Sequence, residues 1–277
     1  MAGVRLASES LYIRGITMNI MTRFLRILLT IHGFIVFTVF LLLIFPLVVV
    51  ASFFGKIKGV NFIYDLCRSW AGVVLFALGI SHRVIYEAPH DPKKTCVFVF
   101  NHISYLDIPL LMRSLPGQHI RVLGKAEMAK IPIFGFLYRQ AVVLVERDNP
   151  ANRAKSVIKL KAVLKKRISI VISPEGTFNM TGQPLKEFYD GAFKVAIETQ
   201  TPIRPVLFLD AYDRMNYHSI FSINPGRSRA IYLHEVSVDG LTLDDVPALK
   251  KQVYDLMEQK LIAYQASWIK TNEEATS

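Results

Sequence analysis

The longest apolar run of the chain covers residues 27–54, which contain no charged side chain. A helix that crosses a bilayer needs about 20 apolar residues, and a helix in a soluble core usually keeps a polar face. The run therefore predicts a membrane-inserted helical segment. As one straight helix it would be about 42 Å long, against a hydrocarbon layer of ~30 Å. The sequence leaves two arrangements open, a tilted helix or a shallow hairpin that bends near Pro46.

After residue 82 the pattern changes to short apolar strands that alternate with helices. This alternation is typical of an α/β fold, and we expect a mixed sheet flanked by helices. We divide the chain into a membrane-anchoring segment, residues 1–58, and one globular domain, residues 59–277. Residues 70–80 are apolar but too few to cross a membrane, and are either an interfacial helix or the first helix of the globular domain. The predicted strands cover residues 83–86, 95–100, 120–123, 141–145, 168–172, 203–207 and 230–236, and the predicted helices cover residues 156–166, 192–199 and 246–264.

The composition supports insertion into a membrane and narrows the range of partners. The chain is 52% hydrophobic and carries a net charge of +11. A basic surface favours anionic lipids, phosphorylated ligands or nucleic acid. The sequence has neither zinc-finger spacing nor an aromatic-basic RNA signature, so we expect no nucleic-acid partner. The two cysteines, Cys67 and Cys96, lie in apolar stretches and predict neither a disulfide framework nor a metal site.

Candidate catalytic residues stand directly after one predicted strand, in the sequence Asn-His-Ile-Ser-Tyr-Leu-Asp at residues 101–107. Ser104 and Asp107 match a variant of the capping box and predict a helix that begins at Ser104. His102 then lies in the turn before the helix, where its imidazole can fold back to the Asp107 carboxylate. Such a carboxylate orients the ring and stabilises its charged form, and the pair can deprotonate a bound hydroxyl. The spacing alone also fits a turn histidine followed by a helix N-terminal charge.

Other strand ends carry candidate binding residues. Lys125 and Arg147 follow two of the predicted strands, and Glu175, Gly176 and Thr177 follow a third. Ligands collect at the carboxyl ends of strands in open α/β sheets, so we expect these residues and the histidine to share one edge. A base beside two cations suits an acceptor that carries both a hydroxyl and a phosphate. Taken singly, each cation also fits a solvated surface charge, and the Glu-Gly-Thr segment fits an ordinary turn.

In this order and combination, the motifs resemble those of the glycerolipid acyltransferases, in particular the 1-acylglycerol-3-phosphate (lysophosphatidate) acyltransferases. The resemblance covers roughly residues 60–235 and implies that the globular domain, residues 59–277, is an acyltransferase domain. That family carries an Asn-His-x4-Asp block, a block with Lys or Arg, a Pro-Glu-Gly-Thr block and a Pro-containing strand, which match residues 101–107, 125–147, 174–177 and 202–206.

The resemblance implies transfer of a fatty acyl group to the free hydroxyl of 1-acylglycerol-3-phosphate, which gives phosphatidate. The donor and co-substrate is acyl-CoA or acyl-carrier protein, with no cofactor or metal. His102 is implied as the general base and Asp107 as its orienting partner, and the residues at the other strand ends named above as the acceptor site. Backbone N–H groups near the helix start after His102 are expected to hold the thioester oxyanion. Both donors are cytoplasmic, so we expect a membrane-bound enzyme whose globular domain faces the cytoplasm and meets lysophospholipid in the membrane.

This chain departs from the family where a phosphate ligand is expected. The family often continues Glu-Gly-Thr with Arg, but here the residue is Phe178, and residues 188–191 lack the lysine of a later Phe-Lys-x-Gly pattern. Either Lys186, Lys194 or Arg147 compensates, or the acceptor is another lysolipid, such as a lyso-aminolipid or another lysophospholipid. A third hypothesis is a non-catalytic lipid-binding protein of the same fold. The intact His-Asp pair argues against it, because a binding protein needs no base.

Overall fold

Strands and helices alternate along the described chain, which comprises residues 2–145 and 150–269, with side chains described within residues 20–145 and 154–269 of this computed structural model. The alternation confirms the predicted α/β class. The helices are α1 (Ala2–Ser52), α2 (Val60–Ala77), α3 (Asp107–Ser114), α4 (Phe134–Ala141), α5 (Pro150–Leu164), α6 (Gly191–Glu198), α7 (Ala211–Arg214) and α8 (Val246–Ala263). The strands are β1 (Ile80–Tyr86), β2 (Val97–Phe100), β3 (Ile120–Lys125), β4 (Val142–Val145), β5 (Ser169–Ile172), β6 (Ile203–Phe208) and β7 (Gly226–Tyr232).

The strands form one sheet in the order β1-β7-β6-β2-β5-β3-β4. Strand β7 pairs antiparallel with β6, and the other neighbouring pairs are parallel, so the sheet is mixed as predicted. Every residue of β2, β5 and β6 is buried, because helices cover the central strands on both faces. Helices α1 to α4 contact one another as one group, and α5, α6 and α8 form a second group.

The apolar N-terminal run forms one arm of a helical hairpin. Helix α1 continues through Pro46, and the chain turns back at residues 53–59, so the turn lies after the position that we considered for a bend. A proline removes only one hydrogen bond from a helix, and packing against neighbouring elements offsets that loss. A side chain at Gly59 would collide with the carbonyl oxygen of Ala51, so the close return of α2 requires glycine there.

Helix α1 has one face on the globular domain and one face open. Leu41, Ile44 and Val48 are buried in the same hydrophobic core as the sheet, whereas Phe34 and Leu43 are 69% and 63% exposed. By length and composition alone, the stretch Ile20–Ser52 is sufficient to cross a membrane. Helix α2 packs against α3 and β1. Most of the apolar stretch at residues 70–80 therefore belongs to the first helix of the globular domain, which ends at Ala77, and the stretch continues through a turn into β1. The domain boundary after residue 58 stays a prediction.

Five predicted strands differ from the observed bounds by at most two residues at either end, and two differ by more. The strand predicted at residues 83–86 begins at Ile80. We expected a strand at residues 230–236, but β7 is Gly226–Tyr232 and pairs along its whole length with β1. Its first residues are polar, so their strand pattern is hidden in the sequence. In the structure the buried Ser228 places its hydroxyl 3.2 Å from Nδ1 of the partly buried His82, so a polar contact joins these two strands.

Candidate active site

The carboxyl ends of five strands meet at one edge of the sheet, because β2 to β6 run in the same direction. Strand β5 lies directly beside β2, so His102 and Glu175 follow neighbouring strands. Lys125 ends β3, the next strand along, and at a strand spacing of about 4.8 Å its backbone lies about 10 Å from β2. The structure therefore gathers these three residues at one edge, as predicted. Arg147 lies outside the described residues.

The side chains of His102 and Asp107 are in direct contact. Nδ1 of His102 lies 2.7 Å from Oδ2 of Asp107, and the carboxylate is fully buried while the imidazole is 24% exposed. A carboxylate only accepts hydrogen bonds, so Nδ1 carries the proton and Nε2 is the ring nitrogen left to accept one. This is the arrangement of a general base with its orienting carboxylate. The predicted contact is present, and the catalytic roles stay predictions.

The turn that brings the pair together differs from the predicted one. Helix α3 begins at Asp107, three residues later than the predicted start at Ser104. Ser104 forms an antiparallel bridge with Asn216, and its hydroxyl donates to the carbonyl oxygen of Met215 at 2.5 Å. Ser104 is therefore also held by a segment that is distant in sequence. Half of the predicted capping box remains, since the Ser104 N–H donates to Oδ2 of Asp107 at 2.9 Å.

The Asp107 carboxylate also accepts hydrogen bonds from backbone N–H groups that we expected to bind the oxyanion. The N–H groups of Ile103 and Ser104 donate to Oδ2 of Asp107 at 2.7 and 2.9 Å. A donor already bonded to a buried carboxylate is not available to a developing oxyanion, so the prediction is wrong for these two amides. Their function is to hold Asp107, which in turn holds the imidazole of His102.

Glu175 lies beneath the pair and links two segments of the site. Its Oε1 accepts a hydrogen bond from the N–H of His102 at 2.8 Å, and Oε2 accepts one from the N–H of Lys186 at 2.9 Å. Burial raises the pKa of Glu175 to about 8, the two N–H donors lower it, and the nearby Asp107 carboxylate raises it further. The side chain is fully buried. Glu175 thus positions the backbone of His102, and direct contact between Glu175 and an acceptor stays a prediction.

The next two residues form the turn above Glu175. Gly176 has φ +72°, a left-handed conformation that strains residues with a side chain, and its N–H donates to the carbonyl oxygen of Ser173 at 3.1 Å. Thr177 is exposed, and its hydroxyl accepts a hydrogen bond from Nζ of Lys186 at 2.8 Å. The turn therefore presents a hydroxyl and an ammonium at the edge of the sheet.

An aromatic cluster covers one side of His102. The ring of Phe178 lies 4.4 Å from the imidazole between centroids, and Tyr105 contacts Phe178 edge-on at 5.1 Å. Tyr217 stacks on Phe178 at 6.3 Å, from the segment that also binds Ser104. Sequence reasoning found Phe178 as an unexpected residue but missed the cluster, because Tyr217 is distant in sequence and belongs to no motif.

Two other cations near the edge have acidic neighbours. Lys125, which is 58% exposed, lies 3.8 Å from Glu127, and Lys194 lies 3.4 Å from Asp190. Sequence reasoning also gave no role to Asn101. Its side chain accepts a hydrogen bond from the N–H of Phe208 at 2.8 Å and donates to the carbonyl oxygen of the same residue at 3.1 Å. This amide ties the end of β2 to the end of β6 just before the turn that contains His102.

The part of the chain that contains these site residues is similar to known proteins. A family model described as Acyltransferase matches residues 82–209. A Caenorhabditis elegans protein with the provisional name 1-acyl-sn-glycerol-3-phosphate acyltransferase acl-2 is 31% identical over 206 residues, or 72% of this chain and 70% of that protein. The mouse 1-acyl-sn-glycerol-3-phosphate acyltransferase alpha is 29% identical over 181 residues, or 65% and 62%. The crystal structure of the 1-acyl-sn-glycerophosphate (LPA) acyltransferase PlsC from Thermotoga maritima has a similar fold, with a TM-score of 0.71, 22% identity, and coverage of 90% of this chain and 100% of that one.

Proposed function

Because this chain belongs to the 1-acylglycerol-3-phosphate acyltransferase family, and is therefore an acyltransferase, we propose that it acylates the free hydroxyl of 1-acylglycerol-3-phosphate to give phosphatidate. The observation that carries the proposal is the contact of 2.7 Å between His102 and the buried Asp107 at the carboxyl edge of the sheet. A partly exposed imidazole with a buried carboxylate behind it suits proton removal from a hydroxyl.

In the proposed reaction His102 takes the proton from the acceptor hydroxyl at Nε2, and the oxygen attacks the thioester carbonyl carbon. Asp107 stabilises the imidazolium while the tetrahedral intermediate exists. The carbon–sulfur bond then breaks, and the leaving thiolate takes the proton from His102. The products are phosphatidate and a free thiol. The thioester already carries an activated acyl group, so the proposal includes no cofactor.

The donor in this proposal is acyl-CoA or acyl-carrier protein, and the acceptor comes from a membrane. Both donors are cytoplasmic molecules, so the proposal places the globular domain on the cytoplasmic side. Helix α1 supports association with a membrane, because apolar side chains such as Phe34 and Leu43 are exposed along its open face. A helix with this pattern suits contact with lipid on one side and with the domain on the other.

A second acceptor class has one observation in its favour. Phe178 lies against the imidazole of His102, where the family often has a phosphate-binding arginine. An aromatic ring offers no charge to a phosphate monoester, so another lysolipid, such as a lyso-aminolipid, is the alternative acceptor. The aromatic cluster that Phe178 forms with Tyr105 and Tyr217 also suits contact with the apolar part of such a lipid.

The test is an acyl-transfer assay with the purified full-length protein in detergent, using acyl-CoA and acyl-carrier protein with a panel of lysolipids. We expect the highest kcat/KM with 1-acylglycerol-3-phosphate and a loss of at least about 100-fold in His102→Ala, since general-base catalysis supplies about 10²–10⁴-fold. His119→Ala is the matched control, because His119 is an exposed histidine before the amino end of β3, at the opposite edge of the sheet. Activity of His102→Ala close to that of His119→Ala would refute the mechanism, and preference for another lysolipid would refute the proposed acceptor.

A further inference from the structure

The carboxyl group of Glu175 links the backbone of Lys186 to the backbone of His102. One oxygen accepts the N–H of His102 at 2.8 Å, and the other accepts the N–H of Lys186 at 2.9 Å. Because Glu175 is fully buried and bonded at both oxygens, the backbone positions of these two residues are coupled through a single rigid side chain. Lys186 is therefore held near His102 by a contact that sequence motifs do not reveal.

The side chain of Lys186 returns toward the same turn. Its Nζ donates to the hydroxyl of Thr177 at 2.8 Å, and Thr177 directly precedes Phe178, whose ring contacts the imidazole of His102. An ammonium group has three donors, and this contact uses one of them. The ion pairs of the described residues include no carboxylate on Lys186. Lys186 thus brings a positive charge to the rim of the site.

The other lysines near this edge are partly neutralised by acidic side chains. Nζ of Lys194 lies 3.4 Å from Asp190, and Nζ of Lys250 lies 2.8 Å from the same carboxylate. Lys125 has Glu127 at 3.8 Å and stands two strands away from β2. Among the described lysines at the edge, Lys186 therefore combines proximity to the catalytic turn with an ammonium that no carboxylate shares.

We propose that Lys186, with the hydroxyl of Thr177, binds the phosphate group of the acceptor. The inference rests on the proposed function, since it requires a phosphate on the acceptor. A phosphate monoester carries close to two negative charges at neutral pH and accepts strong hydrogen bonds from an ammonium. In the family, an arginine often carries a positive charge at the position of Phe178. Here Lys186 supplies that charge from the segment that follows the Glu-Gly-Thr turn. The aromatic ring at that position is then free to cover the imidazole.

The experiment compares Lys186→Ala, Lys186→Arg and the matched control Lys194→Ala in full-length protein, with 1-acylglycerol-3-phosphate in mixed detergent micelles. We expect Lys186→Ala to raise KM for this acceptor by at least about 10-fold, since a hydrogen bond to a charged group contributes roughly 1.5–3 kcal/mol. kcat should stay within about threefold, because the general base is untouched. Lys186→Arg should restore KM, and Lys194→Ala should leave both constants near wild type. The backbone bond to Glu175 persists in every variant, so folding should be kept, as thermal unfolding can verify.

The outcomes separate this inference from the proposed function. If the wild-type protein acylates 1-acylglycerol-3-phosphate and Lys186→Ala has an unchanged KM, the role of Lys186 is refuted and the proposed function stands. A loss of kcat at constant KM that Lys186→Arg does not restore would assign Lys186 a structural role and also refute the inference. If the wild-type protein acylates only lysolipids without a phosphate monoester, both the proposed acceptor and the phosphate site are wrong.

Discussion

Replacing Asp107 with Asn removes one charge from the His102–Asp107 pair and keeps the size of the side chain. Oδ2 of Asp107 accepts hydrogen bonds from Nδ1 of His102 and from the N–H groups of Ile103 and Ser104. An asparagine must present its oxygen to these donors, because its amide nitrogen would face three N–H groups. The ring tautomer of His102 is therefore retained, and the variant isolates the effect of the negative charge on the imidazolium.

The magnitude follows from two terms. A hydrogen bond to a charged group contributes roughly 1.5–3 kcal/mol, and a neutral one about 1 kcal/mol, so the charge itself stabilises the imidazolium by about 0.5–2 kcal/mol, or roughly 2- to 30-fold in kcat/KM. The second oxygen, Oδ1, is buried and has no hydrogen-bond partner among the described residues, so the new amide group is left unsatisfied there. That burial lowers the free energy of unfolding by about 1–3 kcal/mol.

The assay measures kcat/KM and thermal unfolding for Asp107→Asn, Asp107→Ala and His102→Ala in the same detergent. We expect Asp107→Asn to lose much less activity than His102→Ala. Asp107→Ala should be the least stable of the three, because it leaves three N–H donors without their acceptor. Wild-type activity in Asp107→Asn would refute the role of the charge. A loss equal to that of His102→Ala would refute the argument that the backbone N–H groups hold the asparagine oxygen toward the ring.

Two further predictions concern stability and membrane binding. Burial lowers the pKa of His82 to about 4, and Arg113 lowers it further, so the folded protein holds this histidine neutral. Protonation of His82 therefore lowers the free energy of unfolding, which loses nothing above pH 6.5 and loses up to about 3 kcal/mol as the pH drops toward 4. The raised pKa of Glu175 shifts stability in the opposite direction over this range, so the loss is measured as the difference in thermal unfolding between the wild-type protein and a His82→Gln variant from pH 7 to 4.5. We expect the stability of the wild-type protein relative to the variant to fall with the pH, and a constant difference would refute the prediction. The variant Phe34→Glu/Leu43→Glu changes only the open face of α1 and should reduce co-sedimentation with lipid vesicles at unchanged Tm; full vesicle binding would show that another surface provides the membrane contact.

The fold was predictable where local pattern decides it. The residues of β2, β5 and β6 form continuous apolar runs because both of their faces are covered, and such runs are visible in a sequence. Strand β7 begins with polar residues, and only its pairing with β1 shows that they belong to a strand. Long-range pairing depends on contacts that no local window contains. The same reason explains the late start of α3, where Met215 and Asn216 hold Ser104 away from the helix.

The candidate site also has contacts that the sequence predicts and contacts that it does not. His102 and Asp107 are five residues apart, so their contact follows from one turn and was predictable. The contact between Phe178 and the imidazole was not predictable, because it depends on β5 lying beside β2 in the sheet. Glu175 was predicted to bind the acceptor because it matches the Pro-Glu-Gly-Thr block of the family, although the segment alone also fits an ordinary turn. The structure uses its two oxygens for backbone N–H groups instead, which is the way in which a buried carboxylate satisfies its hydrogen bonds.

The position of α1 links the membrane to the chemistry of the site. The open face of α1 is apolar. Ile108 in the first turn of α3 and Tyr105 just before α3 are also exposed. Helix α2 packs against both α1 and α3, so the α1–α2 hairpin and the helix that follows His102 belong to one packed group of helices. In the proposed function, we expect the acceptor to keep its acyl chain in the lipid while its polar head binds near His102. Because the free energy of burying each CH₂ group is about 0.8 kcal/mol, an enzyme that lets the chain stay in lipid avoids most of the cost of extracting it.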